Sequence, residues 1–102
     1  MSSWHDLPSQ DDVRIPLLRA IERRGGTIVV SEKRDEIWRE LAERFDLTDE
    51  QLEYDTSEGR NLWWNWIRYT RLALVEDGYL EKKTRNRWTI TDSGERMLAR
   101  LQ

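Results

Sequence analysis

Apolar residues near the start of the chain recur at helical spacing and predict an amphipathic helix. Asp11 and Asp12 suit the positive end of this helix, Pro16 lies near its first turn, and Gly25-Gly26 ends it. Its inward stripe is Val13, Leu17, Leu18 and Ile21. Residues 1–10 have no apolar period, so we expect a flexible N-terminal arm before one domain at residues 11–102.

A short strand and a second helix are predicted next. The β-branched stretch at residues 27–30 predicts the strand, and Ser31 is placed to cap the helix. Helical spacing predicts its buried stripe, which is Ile37, Trp38, Leu41, Ala42 and Phe45.

The segment before the third helix is acidic. Thr48 and Gln51 have the spacing of a capping box, which predicts a helical turn at residues 48–53. From Asp46 to Glu58 there are six acidic residues and no basic one. A turn at residues 57–60 leads into the third helix.

The third helix combines aromatic and basic residues and ends at Gly78. Its predicted buried face is Trp63, Ile67, Thr70 and Leu74, with Trp66 and Ala73 beside it. The residues predicted for other faces are Trp64, Arg68, Arg71 and Val75. We expect Trp64 to point outward, although burial against residues 54–60 is an equally good interpretation.

A basic hairpin and a last helix complete the pattern. Two short strands at residues 80–83 and 87–90 are predicted to be joined by residues 84–86. Residues 91–94 (TDSG) then cap a helix that turns Met97, Leu98 and Leu101 inward. This order of elements predicts a winged helix-turn-helix, a mainly α fold with a small β-wing in the α+β class.

Composition excludes several classes of protein. The 102 residues suffice for one small domain, and six Trp add bulk to its core. No apolar run approaches the ~18 residues of a membrane span, and residues 1–12 do not resemble a secretory signal. Without cysteine there is no disulfide framework. We therefore expect a cytoplasmic protein that does not associate with membranes.

The net charge of −3 conceals an uneven distribution. Residues 1–59 hold eight Lys/Arg and fifteen Asp/Glu, a balance of −7, whereas residues 60–102 hold nine and five, a balance of +4. Binding responds to the local field rather than to the total charge. The basic half contains the third helix and the hairpin, which favours a nucleic-acid partner for these elements.

No arrangement of residues indicates catalysis. Glu81-Lys82-Lys83 matches the ExK half of a nuclease motif by letters, but a nuclease needs a second carboxylate on a neighbouring strand. The nearest acids, Glu76 and Asp77, fall at a helix end, and His5 has no catalytic neighbours. We predict no catalytic residue, no metal ligands and no cofactor, and therefore no enzyme.

Three stretches resemble the N-terminal domain of Mrr-type modification-dependent restriction endonucleases. RIPLLRAI (residues 14–21) is similar to the opening helix, NWIRYTRLALVEDGYLE (65–81) to the glycine-ended third helix, and RWTITDSG (87–94) to the wing strand and final turn. The resemblance implies a winged-helix module that recognises methylated DNA and is usually joined to a PD-(D/E)xK nuclease domain. Since the nuclease half is absent from these residues, we expect an excised or free-standing reader domain.

Double-stranded DNA is the expected partner of the third helix and the hairpin. A recognition helix enters the major groove with its first residues nearest the base edges. There Arg can form two hydrogen bonds with guanine, and Asn can form two with adenine. Most arginine contacts, however, go to phosphates. The candidate DNA-binding residues are Arg60, Asn61, Trp64, Asn65, Arg68, Arg71, Lys82, Lys83, Arg85 and Arg87.

Trp64 and Asn65 are the predicted sensors of a methyl group, because a methyl in the major groove is an apolar handle. Stacking of a Trp on an extruded base is a second way to read it. Three functions remain open: a DNA reader that works with a nuclease domain or subunit, a protein-interaction or homodimerisation module that uses the aromatic helix, and a transcription regulator.

Overall fold

The computed structural model describes residues 7–82 and 85–101, which form five helices and two strands. The helices are α1 (Gln10–Arg23), α2 (Val30–Arg44), α3 (Asp49–Glu53), α4 (Leu62–Glu76) and α5 (Asp92–Arg100). The strands are β1 (Thr27–Val29) and β2 (Arg87–Thr89). This is the winged helix that the order of elements predicts.

Helix α1 lies at the centre of the core and packs on α2, α4 and α5. The predicted inward stripe of α1 is confirmed, because all four of its residues are fully buried. Ser9 begins the helix: its hydroxyl accepts a hydrogen bond from the backbone N–H of Asp12.

Part of the predicted N-terminal arm is bound to the domain. The carbonyl of Pro8 accepts a 2.7 Å hydrogen bond from the indole N–H of Trp66, Ser9 caps α1, and Gln10 is the first residue of that helix. Residues 8–10 therefore belong to the folded unit, whereas residues 1–6 lie outside the described part of the chain.

The sheet joins segments that are 60 residues apart in the sequence. β1 pairs antiparallel with β2, with Ile28 opposite Trp88. The predicted strand at residues 80–83 is reduced, as far as it is described, to a bridge between Leu80 and Ile90 and one bond from the Glu81 N–H to the Thr89 carbonyl. Lys83 and Thr84 of the predicted hairpin lie outside the described residues.

The predicted cap of α2 is wrong. The helix begins at Val30 rather than after Ser31, and Asn86 supplies its cap from the wing (residues 80–90). The backbone carbonyl of Asn86 accepts from the Val30 N–H at 2.7 Å, and its side-chain oxygen accepts from the Ser31 N–H at 3.0 Å. A distant residue thus satisfies the free N–H groups that Ser31 was expected to satisfy.

The remaining caps follow the prediction. Thr48 and Gln51 form the capping box of α3, and the Thr91 hydroxyl accepts from the Gly94 N–H at the start of α5. Leu98 is fully buried as predicted. The inward position predicted for Leu101 is wrong: this residue follows the last residue of α5 and its side chain is 54% exposed.

Candidate nucleic-acid interface

The buried face of α4 fixes the orientation of this helix in the domain. Its predicted residues, Trp63, Ile67, Thr70 and Leu74, are all fully buried. The indole N–H of Trp63 donates to the Trp38 carbonyl at 3.2 Å, and the edge of Phe45 meets the Trp63 ring at a centroid distance of 6.3 Å. The opposite face of α4 is consequently held toward solvent.

Asn61 caps α4 with its side chain. The side-chain oxygen accepts from the Trp64 N–H at 3.0 Å and from the Trp38 indole N–H at 2.8 Å, and the amide nitrogen donates to the Leu52 carbonyl at 2.9 Å. The amide that sequence analysis assigned to DNA is therefore engaged with three groups of the protein. Its role in the geometry is to position the first turn of α4.

The outward position predicted for Trp64 is wrong, and the alternative, a buried side chain, is correct, although Trp88 and Arg34 cover it. Its side chain is 8% exposed, and its ring stacks on Trp88 with centroids 5.7 Å apart and planes 7° from parallel. At about 100° per residue, Trp64 lies only about 60° around α4 from Ile67, the centre of the buried face. The buried face of α4 is therefore broader than three- and four-residue spacing indicates, because Trp88 of the wing packs on the side of the helix that carries Trp64.

Arg71 is likewise buried, at 9% exposure, although it was predicted for another face. Its guanidinium carbon lies 5.8 Å from the centroid of the Trp88 ring. Burial lowers the pKa of Arg71 from its ordinary value, and the positive charge of Arg68 lowers it further. Two like charges are thus held close together at the edge of the core.

A continuous chain of contacts links four side chains in the order Arg34, Trp64, Trp88 and Arg71. The guanidinium carbon of Arg34 lies 5.2 Å from the centroid of the Trp64 ring, and the contacts from Trp64 to Trp88 and from Trp88 to Arg71 complete the chain. Because both indoles are buried between these neighbours, neither presents a free face for an extruded base.

Two adjacent hollows open along the exposed face of α4. One, of about 320 Å³, is lined by Arg60, Asn65, Arg68, Tyr69, Arg71, Leu72, Arg85 and Trp88. The other, of about 390 Å³, is lined by Arg34, Gly59, Arg60, Asn61, Trp64, Asn65 and Arg68. They share Arg60, Asn65 and Arg68, and together form the arginine groove. Five arginines line the groove, and no carboxylate does so among the described residues.

The model of the Mrr N-terminal domain matches residues 11–100. The chain belongs to the Mrr N-terminal domain family. Neither a curated protein nor a solved structure matches it. The family describes an N-terminal domain associated with restriction systems and separate from the nuclease domain.

The arginines of this Mrr N-terminal domain differ in their ionic partners. On α1, Arg14 pairs with Asp77 and Arg23 with Glu40, and Arg24, which follows α1, also pairs with Glu40. Within the described residues, no carboxylate forms an ion pair with the groove arginines Arg34, Arg60, Arg68 and Arg85. The groove consequently keeps its positive charge available.

The wing carries further basic residues, one of which lines the groove. Lys82, Arg85 and Arg87 are exposed, and Arg85 lines the groove itself. Lys83 lies outside the described residues. Of the ten predicted site residues, the structure thus brings six to the groove: Arg60, Asn61, Trp64, Asn65, Arg68 and Arg71, with Arg85 of the wing as a seventh.

Five residues that line the groove are not among the predicted site residues: Arg34, Gly59, Tyr69, Leu72 and Trp88. Tyr69 and Leu72 are 52% and 47% exposed, and both lie about 140–160° around α4 from Ile67. Helical spacing therefore places Tyr69 and Leu72 opposite the buried stripe, and this position could have identified them as exposed. Arg34 had no comparable signal, because its place depends on how α2 packs beside α4.

Other kinds of site find no support in the described ranges. No group of three or more residues with metal-binding side chains could hold a metal ion there, and no helix is long and apolar enough to cross a membrane.

Proposed function

We propose that this domain binds duplex DNA through the exposed face of α4 and the wing, as a reader domain of a restriction system. The observation that carries the proposal is the arginine groove, which five arginines and no described carboxylate line. Holding like charges together is unfavourable in the free protein, and a bound polyanion relieves that repulsion. The phosphate backbone of DNA supplies such an anion.

The residues divide into two kinds of contact. Arg60, Arg68 and Arg85 carry charge that described carboxylates do not neutralise, and their guanidinium groups suit phosphate oxygens. Asn65 lines both hollows and is the amide in the groove whose side chain is not used for capping. Asn65 is therefore the proposed base-reading residue, because an amide can bond two groups on adenine.

Methyl recognition is proposed for Asn65 and Tyr69 rather than for Trp64. Trp64 is covered by Trp88 and Arg34, whereas Tyr69 follows Asn65 by one helical turn and is exposed. A ring at this position can contact a methyl group in the major groove. The proposal therefore extends to methylated duplex DNA.

A salt-dependent titration tests the DNA-binding part of the proposal. Arg68→Glu and Arg85→Glu should each weaken binding at least about tenfold and reduce the slope of log Kd against log salt by about 1 or more. Arg19→Glu is the matched control, since Arg19 lies on α1 near Asp11, Asp12 and Glu40, and its affinity should change less than about twofold. Equal losses in all three variants would assign the effect to total charge and not to the groove.

Matched duplexes test the methyl-reading part. The same sequence is titrated without methylation, with 5-methylcytosine and with N6-methyladenine. One methylated form should bind more tightly, by about 1–3 kcal/mol for one good base contact, and Tyr69→Ala should reduce that difference. Equal affinity for all three duplexes would remove methyl recognition and leave general DNA binding.

A second function is favoured by one observation. Tyr69 and Leu72 are large, adjacent and about half exposed on α4, and aromatic residues are enriched in protein interfaces. A protein partner or a second copy of the chain could cover them. Binding through this pair would vary little with salt, whereas DNA binding through the groove would weaken steeply.

A further inference from the structure

Arg34 contributes to the groove from α2, whereas the other groove arginines come from the turn before α4, from α4 and from the wing. Its exposed side chain lines one hollow together with Asn61, Trp64, Asn65 and Arg68. In the described part of the chain no carboxylate forms an ion pair with it, and this includes the adjacent Asp35. Arg34 therefore adds an available positive charge on the α2 side of the groove.

The position of the Arg34 guanidinium is set by a rigid platform. It lies over Trp64 at 5.2 Å, and Trp64 is stacked in parallel on Trp88. Trp88 is itself held in β2, and its indole N–H donates to the Arg85 carbonyl at 3.2 Å. A guanidinium held over a ring by a cation–π contact keeps N–H groups available to the oxygens of an anion such as phosphate.

Stacking alone does not make an arginine a binding residue, as Arg44 shows. Arg44 ends α2, and its guanidinium lies over the Phe45 ring at 5.4 Å. The hollow that Arg44 lines also contains Asp11, Asp12 and Glu40. Arg44 thus faces three carboxylates that repel phosphate. Arg34 shares one hollow with Arg60, Arg68 and two asparagines, and a second hollow in which Asp35 is the one carboxylate.

From this contrast we infer that Arg34 contacts the DNA backbone and that Trp64 is the positioning residue for its guanidinium. The inference builds on the proposed function and extends the interface from α4 and the wing to α2. The inference also gives Trp88 of the wing a role: its ring fixes the orientation of the Trp64 ring, and Trp64 in turn positions the Arg34 guanidinium beside the groove.

Two matched variants test the contact. Arg34→Ala should raise Kd on the order of tenfold and reduce the salt slope by about 1, as for one lost phosphate contact. Arg44→Ala removes the same charge and a similar stacking contact from the same helix, and its Kd should change less than about twofold. Equal effects of the two variants, or no effect of Arg34→Ala, would overturn the inference.

A second pair of variants tests the positioning by Trp64. Arg34→Lys keeps the charge but loses the guanidinium over the Trp64 ring, and should recover only part of the lost affinity. Trp64→Phe keeps a flat ring and should bind nearly as wild type, whereas Trp64→Leu should bind more weakly. In the Trp64→Leu background, Arg34→Ala should cost much less than in the wild type, because coupled residues are not additive.

The outcomes separate this inference from the proposed function. Thermal denaturation first establishes that each variant is folded; if Trp64→Leu is not, the comparison of Arg34→Lys with Arg34→Ala decides, and full recovery by Lys overturns the positioning role. If Arg68→Glu weakens binding and Arg34→Ala does not, the contact fails and the proposed function stands. If neither weakens binding, both fail.

Discussion

Asn61 determines how α4 begins. Its three hydrogen bonds connect the first turn of α4 with Trp38 of α2 and with Leu52 of α3. The side chain is partly buried, so water replaces these bonds poorly if the amide is removed. An asparagine before an aromatic helix can either contact a base or cap the helix. Here the Asn61 side chain caps α4 by accepting from the Trp64 N–H.

Replacement of Asn61 should therefore affect stability. Asn61→Ala should lower the free energy of unfolding by about 2–3 kcal/mol, since a cap and two further bonds are lost. Asn61→Asp retains the acceptor and should lose less. Asn65→Ala is the control and should change it by less than about 1 kcal/mol. Urea denaturation measures all three, and an Asn61→Ala protein as stable as the wild type would contradict the capping role.

Trp64 should also act through stability. Trp64→Ala removes a buried indole from between Arg34 and Trp88, and should lower the free energy of unfolding by about 3–5 kcal/mol. Tyr69→Ala, on the exposed side of the same helix, should change it by about 0.5 kcal/mol or less. If calorimetry finds the two variants equally stable, Trp64 is not part of the core.

Sequence patterns identified the residues of α4 but not all of their directions. Trp63, Ile67, Thr70 and Leu74 repeat regularly, and each is buried as predicted. Trp64 lies at the edge of that stripe, where the outcome depends on what packs beside it. The covering residue, Trp88, follows 24 positions later, so no local pattern could reveal the contact.

The capping bonds and the close packing at the start of α5 explain why residues 91–94 are TDSG. Thr91 caps the helix through the Gly94 N–H and also donates its hydroxyl to the Gly78 carbonyl. Gly94 approaches the chain after α4 so closely that a Cβ there would lie 2.5 Å from the Tyr79 carbonyl oxygen and 2.7 Å from a side-chain carbon of Ile90. Only a residue without a side chain lets α5 dock here.

Gly94→Ala should consequently loosen α5 from the wing. The methyl group forces a backbone shift, and we expect a loss of about 1–3 kcal/mol of stability, as for other overpacked sites. Ser93→Ala introduces the same methyl side chain at the preceding, exposed position and should be close to neutral. A Gly94→Ala protein with an unchanged melting temperature would show that the close approach is not required.

The elements were predictable where their signals are local. The capping box of α3 and the glycine-ended α4 depend on residues within a few positions of each other. The cap of α2 and the main partner of β2 do not: Asn86 reaches α2 across 55 positions, and β2 pairs with β1 rather than chiefly with the preceding segment. Such contacts follow from tertiary packing and escape a local pattern.

Across the whole molecule, the distribution of positive charge depends on ion pairing in the fold as well as on the order of charged residues in the sequence. The basic half of the chain was apparent from its balance of +4. The groove was not, because it combines arginines from α2, α4, the turn before α4 and the wing. Meanwhile Arg14 and Arg23 of α1, and Arg24 directly after it, form ion pairs with carboxylates. The surface field thus depends on which arginines lie beside carboxylates, and the fold determines that.

We propose that duplex DNA binds at the arginine groove, and an NMR titration locates the binding surface residue by residue. Backbone amide shifts of the 15N-labelled domain are followed while a short duplex is added at low salt. We predict the largest changes at Arg34, Asn65, Arg68, Tyr69 and Arg85, with little change along residues 46–58, where six acids repel phosphate. Shifts centred on those acidic residues or on the outer face of α1, or no shifts at all, would contradict the account.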